Sequence, residues 1–204
     1  LATADKIFFG GQIPKSFCEE LESKNISYWD YFLLDELAVY NAVPTAEGVL
    51  KILIEELPIT IHGMNCGITG YGKVGKILAQ TLKSLGADVT VFARKESDFA
   101  DAFTKSLKYK NIKSLEDEYN NLDVLINTVP SKIINASVLD KINADCLLVE
   151  IASAPFGIDF QNAKERAMNV IKASSLPGKV APKSAGEIIG RSILPILRAR
   201  GLTD

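Results

Sequence analysis

Histidine, tryptophan, methionine and cysteine are scarce in this chain of 204 residues, which holds one His, one Trp, two Met and three Cys. The cysteines, Cys18, Cys66 and Cys146, are odd in number and scattered. No C-x-x-C pair occurs, so neither a zinc site nor a disulfide framework is expected, and no metal is read from the sequence. A reducing cytoplasm fits this cysteine usage. An excess of either charge is also lacking. Twenty-three Lys and Arg face 25 Asp and Glu, for a net charge of −2. That excludes a basic footprint for nucleic acid and a polybasic membrane patch. No apolar run is read as long enough to span a bilayer. The opening "LATADKIFFGG" lacks the order of a signal peptide and lacks Met, so the chain is expected to be a piece of a longer protein. No internal repeat or low-complexity segment is present.

What is there is an ordinary globular balance, 47% hydrophobic and 24% charged, enough for a sizeable core. Short apolar runs alternate with helical periodicity, the pattern of a parallel sheet covered by helices. A strand is expected at 6–9 and a helix at 15–24, followed by "ISYWDYF" and an acidic connection near Asp35 and Glu36. Pro44 and Thr45 read as a helix start and Pro58 as its stop, with Val49, Leu50, Leu53, Ile54 and Leu57 at helical spacing. Further strands are expected at 66–69, 89–93, 124–127, 146–152 and 170–173, and a weak one at 111–113. Helices are expected at 74–85, 97–107, 115–119, 135–142, 159–168 and 184–200. The fold class is therefore α/β, a doubly wound parallel Rossmann sheet preceded by the remnant of a smaller α/β domain. Residues 1–44 are read as the C-terminal part of that incomplete domain. Residues 45–58 are read as a connecting helix and 59–204 as the Rossmann domain.

"GYGKVG", Gly70-Tyr71-Gly72-Lys73-Val74-Gly75, is a G-x-G-x-x-G that follows a strand and opens an amphipathic helix. Gly70 permits the tight turn, Gly72 lets backbone approach a pyrophosphate, and Gly75 lets the helix pack on the sheet. The helix start attracts phosphate through its free N–H groups and dipole. The bland alternative is a glycine turn that binds nothing. At the end of the second strand of this unit, an NAD site usually places an acid for the ribose 2′-hydroxyl. Here "VFARKES" places Arg94 and Lys95, with Ser97 behind them. A guanidinium can grip a 2′-phosphate that an acid would repel, so the expected cofactor is NADP. "INTVP" delivers Thr128, Val129 and Pro130 to the carboxyl edge of the sheet, where ligands bind.

After the last strand, Lys179, Lys183 and Arg191 lie in "SSLPGKVAPKSAGEIIGRS", as an acidic substrate would need. Surface lysines on a loop are the alternative. His62 is the one histidine and a candidate proton carrier, with a structural role as the alternative. D-2-hydroxyacid dehydrogenases share this kind of cofactor domain but carry a catalytic histidine after the last core strands. Nothing after residue 62 is a histidine here.

Together "NAVPTAEG", "ITIHG", "GYGKVG", "LGADVTVFARK", "INTVP" and "LPGKVAPKSAGEI" resemble the A subunit family of dipicolinate synthases, in order from about Gly10 to Gly190. The resemblance implies an NADP-dependent oxidoreductase of dipicolinate biosynthesis, in the mother cell of a sporulating bacterium. It implies a small cyclic dicarboxylate substrate, a flavoprotein-like B subunit of the same synthase as partner, and an assembly of copies of the chain. By position, Gly70 to Gly75 would hold the pyrophosphate, Arg94 and Lys95 the 2′-phosphate, and Thr128 to Pro130 the nicotinamide side. Lys179 and Lys183 would meet the substrate carboxylates. One stretch departs from the family pattern. In "EIASAPFGIDF", Ala154 stands where the family has a cation and Phe156 where it has a glycine. Rival readings are an enzyme of the adenosylhomocysteinase or alanine-dehydrogenase type, and a non-catalytic cofactor-binding partner protein.

Overall fold

The computed structural model describes residues 6–113 and 121–203. The helix expected at 115–119 lies outside them. The chain opens with two parallel strands, β1 (Ile7–Gly10) and β2 (Ser27–Asp30), joined through helix α1 (Lys15–Ser23). The second strand falls in "ISYWDYF", whose local pattern shows only a lead into a connection. The Asp30 carboxylate accepts the Gln12 and Ile13 N–H groups at 3.1 and 2.8 Å, tying the turn after β1 to the end of β2.

Helix α2 runs from Asp35 to Glu56, so it starts well before the expected Pro44. Asp35 and Glu36 form its first turn, where carboxylates complement the helix dipole. Pro44 lies inside the helix, although it lacks an N–H for the ladder. Packing overrides that local preference. Leu37, Ala42, Pro44, Ala46, Val49 and Leu53 are all buried. By length and composition α2 would pass for a membrane-crossing helix, which corrects the reading that no run is long enough. Its buried residues and its packing against α3 mark it as a core helix of this fold.

The remaining elements alternate as β3 (Asn65–Thr69), α3 (Lys73–Ser84), β4 (Asp88–Ala93), α4 (Glu96–Thr104), β5 (Lys108–Asn111), β6 (Val124–Asn127), α5 (Ala136–Leu139), β7 (Leu147–Glu150), α6 (Phe160–Glu165) and β8 (Val170–Lys172). Two helices close the described chain, α7 (Leu176–Val180) and α8 (Pro182–Ala199). The weak strand expected at 111–113 lies earlier, because α4 ends at Thr104. Helix α7 spans Pro177 and Gly178, a dipeptide that locally reads as a turn. Leu176 holds it against α2, where a Cβ on Gly48 would lie 2.9 Å from the Leu176 Cβ.

All sheet pairings are parallel, in the order β5-β4-β3-β6-β7-β8. The chain winds outward from β3 to β5, then returns to β6 on the other side of β3. This is the doubly wound Rossmann order, whose crevice opens at the carboxyl ends of β3 and β6. Side chains along each strand alternate between two cores. Val89, Val91, Val124, Ile126, Leu147 and Val149 face α2 and α3, with Leu53, Leu78 and Leu82. Phe92, Leu125 and Leu148 face α5 and α6, with Leu139 and Ala163. The central strands are buried on both faces, which is why they read as continuous apolar runs rather than alternating ones.

Candidate functional site

The glycine loop joins β3 to α3 at the crevice. Gly70 has φ +90°, and a Cβ there would lie 2.3 Å from Thr128 Oγ1 and 2.7 Å from Val129 Cγ2. A Cβ on Gly75 would lie 2.4 Å from the Gly70 carbonyl oxygen. Only glycine fits at either position. Gly72 caps α3 without any side-chain hydrogen bond. A Cβ on Gly72 would meet nothing within 4 Å. The helix start therefore faces open space, and a phosphate can approach its first-turn N–H groups.

That space is a cleft of about 470 Å³. Gly70 to Gly75, Arg94, Lys95, Thr128, Val129 and Pro130 all line it. The structure thus gathers every expected cofactor residue except Ser97 around one cavity. Ser97 is exposed on the first turn of α4 and lies outside the lining. Arg94 and Lys95 are exposed and join none of the ion pairs found among the described residues. Sequence reasoning missed Ala38, Ala93, Asp98 and Ile112 in the lining. Ala93 and Asp98 flank the Arg94–Lys95 pair closely enough to be inferred from it. Ala38 comes from α2, remote in sequence, and carries no local signal. Lys73 at the rim bonds the Asp35 carboxylate, and this bond holds the Asp35 pKa below its ordinary value. It links the start of α2 to the glycine loop.

Tyr71, between the first two glycines, is only 4% exposed. Its hydroxyl is buried with no hydrogen-bond partner among the described residues. Burial first, then the nearby Asp101 carboxylate, pushes its pKa up to about 12. Removing an unsatisfied buried hydroxyl relieves a desolvation penalty, so Tyr71→Phe should stabilise the protein by about 1 kcal/mol at neutral pH. The folded chain holds this proton to higher pH than the unfolded chain. The stability of the wild type relative to Tyr71→Phe should therefore fall further as pH rises from 10 to about 12. Urea unfolding of both proteins across that range checks the sign; a constant difference would refute it.

The expected substrate and acid–base residues lie elsewhere. Lys179 and Lys183 are exposed on α7 and α8 and do not line the cleft. His62 precedes β3, at the amino edge of the sheet, packed over Gly86 where α3 ends; a Cβ on Gly86 would lie 2.4 Å from its imidazole. The cleft is at the carboxyl edge, so His62 is not brought to it. The expectation that His62 carries a proton at the cleft gains no support from this placement. Parallel strands separate the two edges by their own length. Among the described residues no three His, Cys, Asp or Glu side chains converge to hold a metal.

At the carboxyl ends of the central strands sits a buried polar cluster that sequence reasoning did not single out as a unit: Thr69, Asn127 and Glu150, each 0–1% exposed. The loop after β7 wraps over it. Phe156 there has φ +64°, a conformation natural to glycine and costing a bulky residue about 1–2 kcal/mol. The Lys172 ammonium lies 3.9 Å from the centre of the Phe156 ring. This cation–π contact offsets part of that cost.

The chain matches a family model, the NAD-binding domain of S-adenosyl-L-homocysteine hydrolase, over residues 45–190. It is 36% identical over 166 residues to the A subunit of dipicolinate synthase from Bacillus subtilis (strain 168), covering 81% of this chain and 56% of that protein. The chain thus spans little more than half the length of this relative. The crystal structure of the dipicolinate synthase A subunit from Bacillus halodurans superposes with a TM-score of 0.90 at 31% identity, over 94% of this chain and 66% of that one. An L-alanine dehydrogenase superposes with a TM-score of 0.75 at 18% identity, over 97% of this chain and 67% of that one, and shares the fold. With its Rossmann sheet, its glycine-loop cleft and a family model matched over residues 45–190, this chain belongs to the family of the S-adenosyl-L-homocysteine hydrolase NAD-binding domain and is similar to the A subunit of dipicolinate synthase.

Proposed function

We propose that this chain is the cofactor-binding part of the A subunit of a dipicolinate synthase, an oxidoreductase that uses NADP. The observation that carries the reading is the pair Arg94–Lys95 lining the cleft at the end of β4, where an NAD site would present an acid. The family model and the relatives support a nicotinamide dinucleotide in general. The open space above Gly72 fits a pyrophosphate.

In this reading the backbone N–H groups of Gly72 to Gly75 hold the pyrophosphate, and Arg94 and Lys95 hold the 2′-phosphate. Thr128, Val129 and Pro130 flank the nicotinamide. The substrate is a cyclic dicarboxylate, a hydroxylated tetrahydrodipicolinate that loses water to dihydrodipicolinate. When bound, NADP would supply the hydride acceptor for oxidation of dihydrodipicolinate, with dipicolinate, NADPH and a proton as the balanced products. Aromaticity of the product supplies driving force, so the protein need only position and hold charge. Lys179 and Lys183, exposed on α7 and α8 outside the cleft lining, are the proposed cations for substrate carboxylates that extend beyond the cleft. The whole enzyme works with the B subunit of the synthase in the cytoplasm of a sporulating mother cell, in an assembly of several copies.

A second reading rests on Asp98, which lines the same cleft beside Arg94 and Lys95. An acid there could bond a ribose 2′-hydroxyl, as in an NAD-dependent enzyme of the adenosylhomocysteinase or alanine-dehydrogenase type. Calorimetric titration with NADP and, separately, with NAD decides between them. Tight NADP with weak NAD is expected. A preference for NAD would favour the second reading, and binding of neither would remove the cofactor reading altogether.

A further inference from the structure

Glu150 is the last residue of β7 and is 1% exposed. Its two oxygens receive four donors. Oε1 accepts the Asn127 Nδ2 amide at 2.7 Å and the Ala152 N–H at 2.9 Å. Oε2 accepts the Gly157 and Ile158 N–H groups at 2.7 and 2.9 Å. A carboxylate is the one side chain that offers acceptors alone on both atoms.

The partner Asn127 is fully buried, and its contacts fix which way its amide points. Its Oδ1 accepts the Thr69 hydroxyl at 2.6 Å and the Val129 N–H at 3.1 Å. Its Nδ2, besides meeting Glu150, donates to the Val129 carbonyl at 2.9 Å. Val129 is thus gripped at both of its backbone groups, and it is a wall residue of the cleft. It also abuts the glycine loop, since a Cβ on Gly70 would lie 2.7 Å from its Cγ2.

We propose that Glu150 is a positioning residue for the cofactor cleft. Its carboxylate orients the Asn127 amide, the amide fixes Val129, and Val129 sets the wall between glycine loop and nicotinamide. The other oxygen binds the loop after β7, so the two loops at the carboxyl edge share one anchor. This rests on the cofactor reading above for its functional consequence, but not for its geometry.

Glu150→Gln is the informative change. Whichever way the new amide turns, its NH2 faces two donors, and its volume is nearly unchanged. The Gly157 and Ile158 N–H groups are backbone and cannot reverse, whereas the Asn127 amide can, so the NH2 turns to Asn127, whose amide reverses and loses both bonds to Val129. NADP should then bind about tenfold more weakly, the scale of a lost hydrogen bond to a charged group. The fragment 2′,5′-ADP reaches Arg94 and Lys95 but not the Val129 wall, and its affinity should hold within about threefold. The double variant Glu150→Gln/Asn127→Asp restores the bond between the two side chains with donor and acceptor exchanged, and keeps an acceptor for the Val129 N–H while losing the donor to the Val129 carbonyl. It should recover at least about threefold of the lost NADP affinity. Equal weakening of NADP and 2′,5′-ADP would mean general damage to the fold and would overturn the proposal, as would no weakening of either. Amide hydrogen exchange gives a readout without cofactor. The Val129 N–H, bonded to Asn127 and not to Glu150, should exchange at least about tenfold faster in Glu150→Gln. If it does not, Glu150 does not act through Asn127. Failure of the wild type to bind NADP or NAD overturns the cofactor reading, while the exchange result still decides the positioning role.

Discussion

Replacing Arg94 with alanine should weaken NADP binding by about 10- to 100-fold while changing NAD by no more than about twofold. The scale follows from about 1.5–3 kcal/mol for a hydrogen bond to a charged group. The selectivity follows from position. Arg94 stands directly after β4 and lines the cleft. The two cofactors differ by one phosphate, so a residue that touches only that phosphate separates them. Lys95→Ala should have the same sign and a smaller effect, because an ammonium meets phosphate as a point charge rather than as a planar fork. Both side chains are exposed, so the NADP preference should shrink as salt rises and screening shortens. Arg94→Asp should go further and bring NAD ahead, since its carboxylate repels the phosphate and can bond a ribose hydroxyl. Paired titrations of each variant with both cofactors measure all of this. If Arg94→Ala weakens NADP and NAD equally, Arg94 is not the 2′-phosphate ligand.

The glycine loop offers an equally large effect with a built-in control. Gly75→Ala drives a Cβ into the Gly70 carbonyl at 2.4 Å, and neither partner is a flexible side chain. The helix must move away from the strand, which should cost about 1–3 kcal/mol of stability and abolish dinucleotide binding. Gly72→Ala meets nothing within 4 Å, and Gly72 has an ordinary φ of −80°. Its Cβ would project into the space assigned to the pyrophosphate. Gly72→Ala should therefore fold with stability within about 0.5 kcal/mol of wild type, yet bind NADP at least about 100-fold more weakly. A loop that merely turns the chain predicts otherwise for Gly72→Ala: no cost to stability and no functional loss. Thermal unfolding and titration on the same samples separate the two, and unaltered NADP affinity in Gly72→Ala would sink the pyrophosphate assignment.

Most of this site could be read locally. Apolar runs at strand spacing, a G-x-G-x-x-G between strand and helix, and two cations after the next strand are all properties of neighbouring residues. Each needs only the strand–turn–helix unit that those neighbours form. The departure at Phe156 was legible too, as a residue standing where the family resemblance implies glycine; its φ of +64° is one that glycine adopts freely. Element ends were less legible. Pro44 and Thr45 form a sound local start signal, but the buried residues of α2 carry the helix through them from Asp35.

The sequence by itself determined the doubly wound class, the glycine loop and the two cations that follow β4, because these depend on periodicity and on contacts a few residues apart. Only the tertiary structure decided which side chains share an edge of the sheet. It sent His62 to the amino edge, away from the cleft, and brought Ala38 of α2 into the cleft lining. It also joined Asn127 to Glu150, 23 residues apart, because β7 pairs directly with β6 in parallel register, Asn127 opposite Glu150. Strand order is set by burying both faces of the whole sheet at once, and that balance is a property of the complete core rather than of any segment.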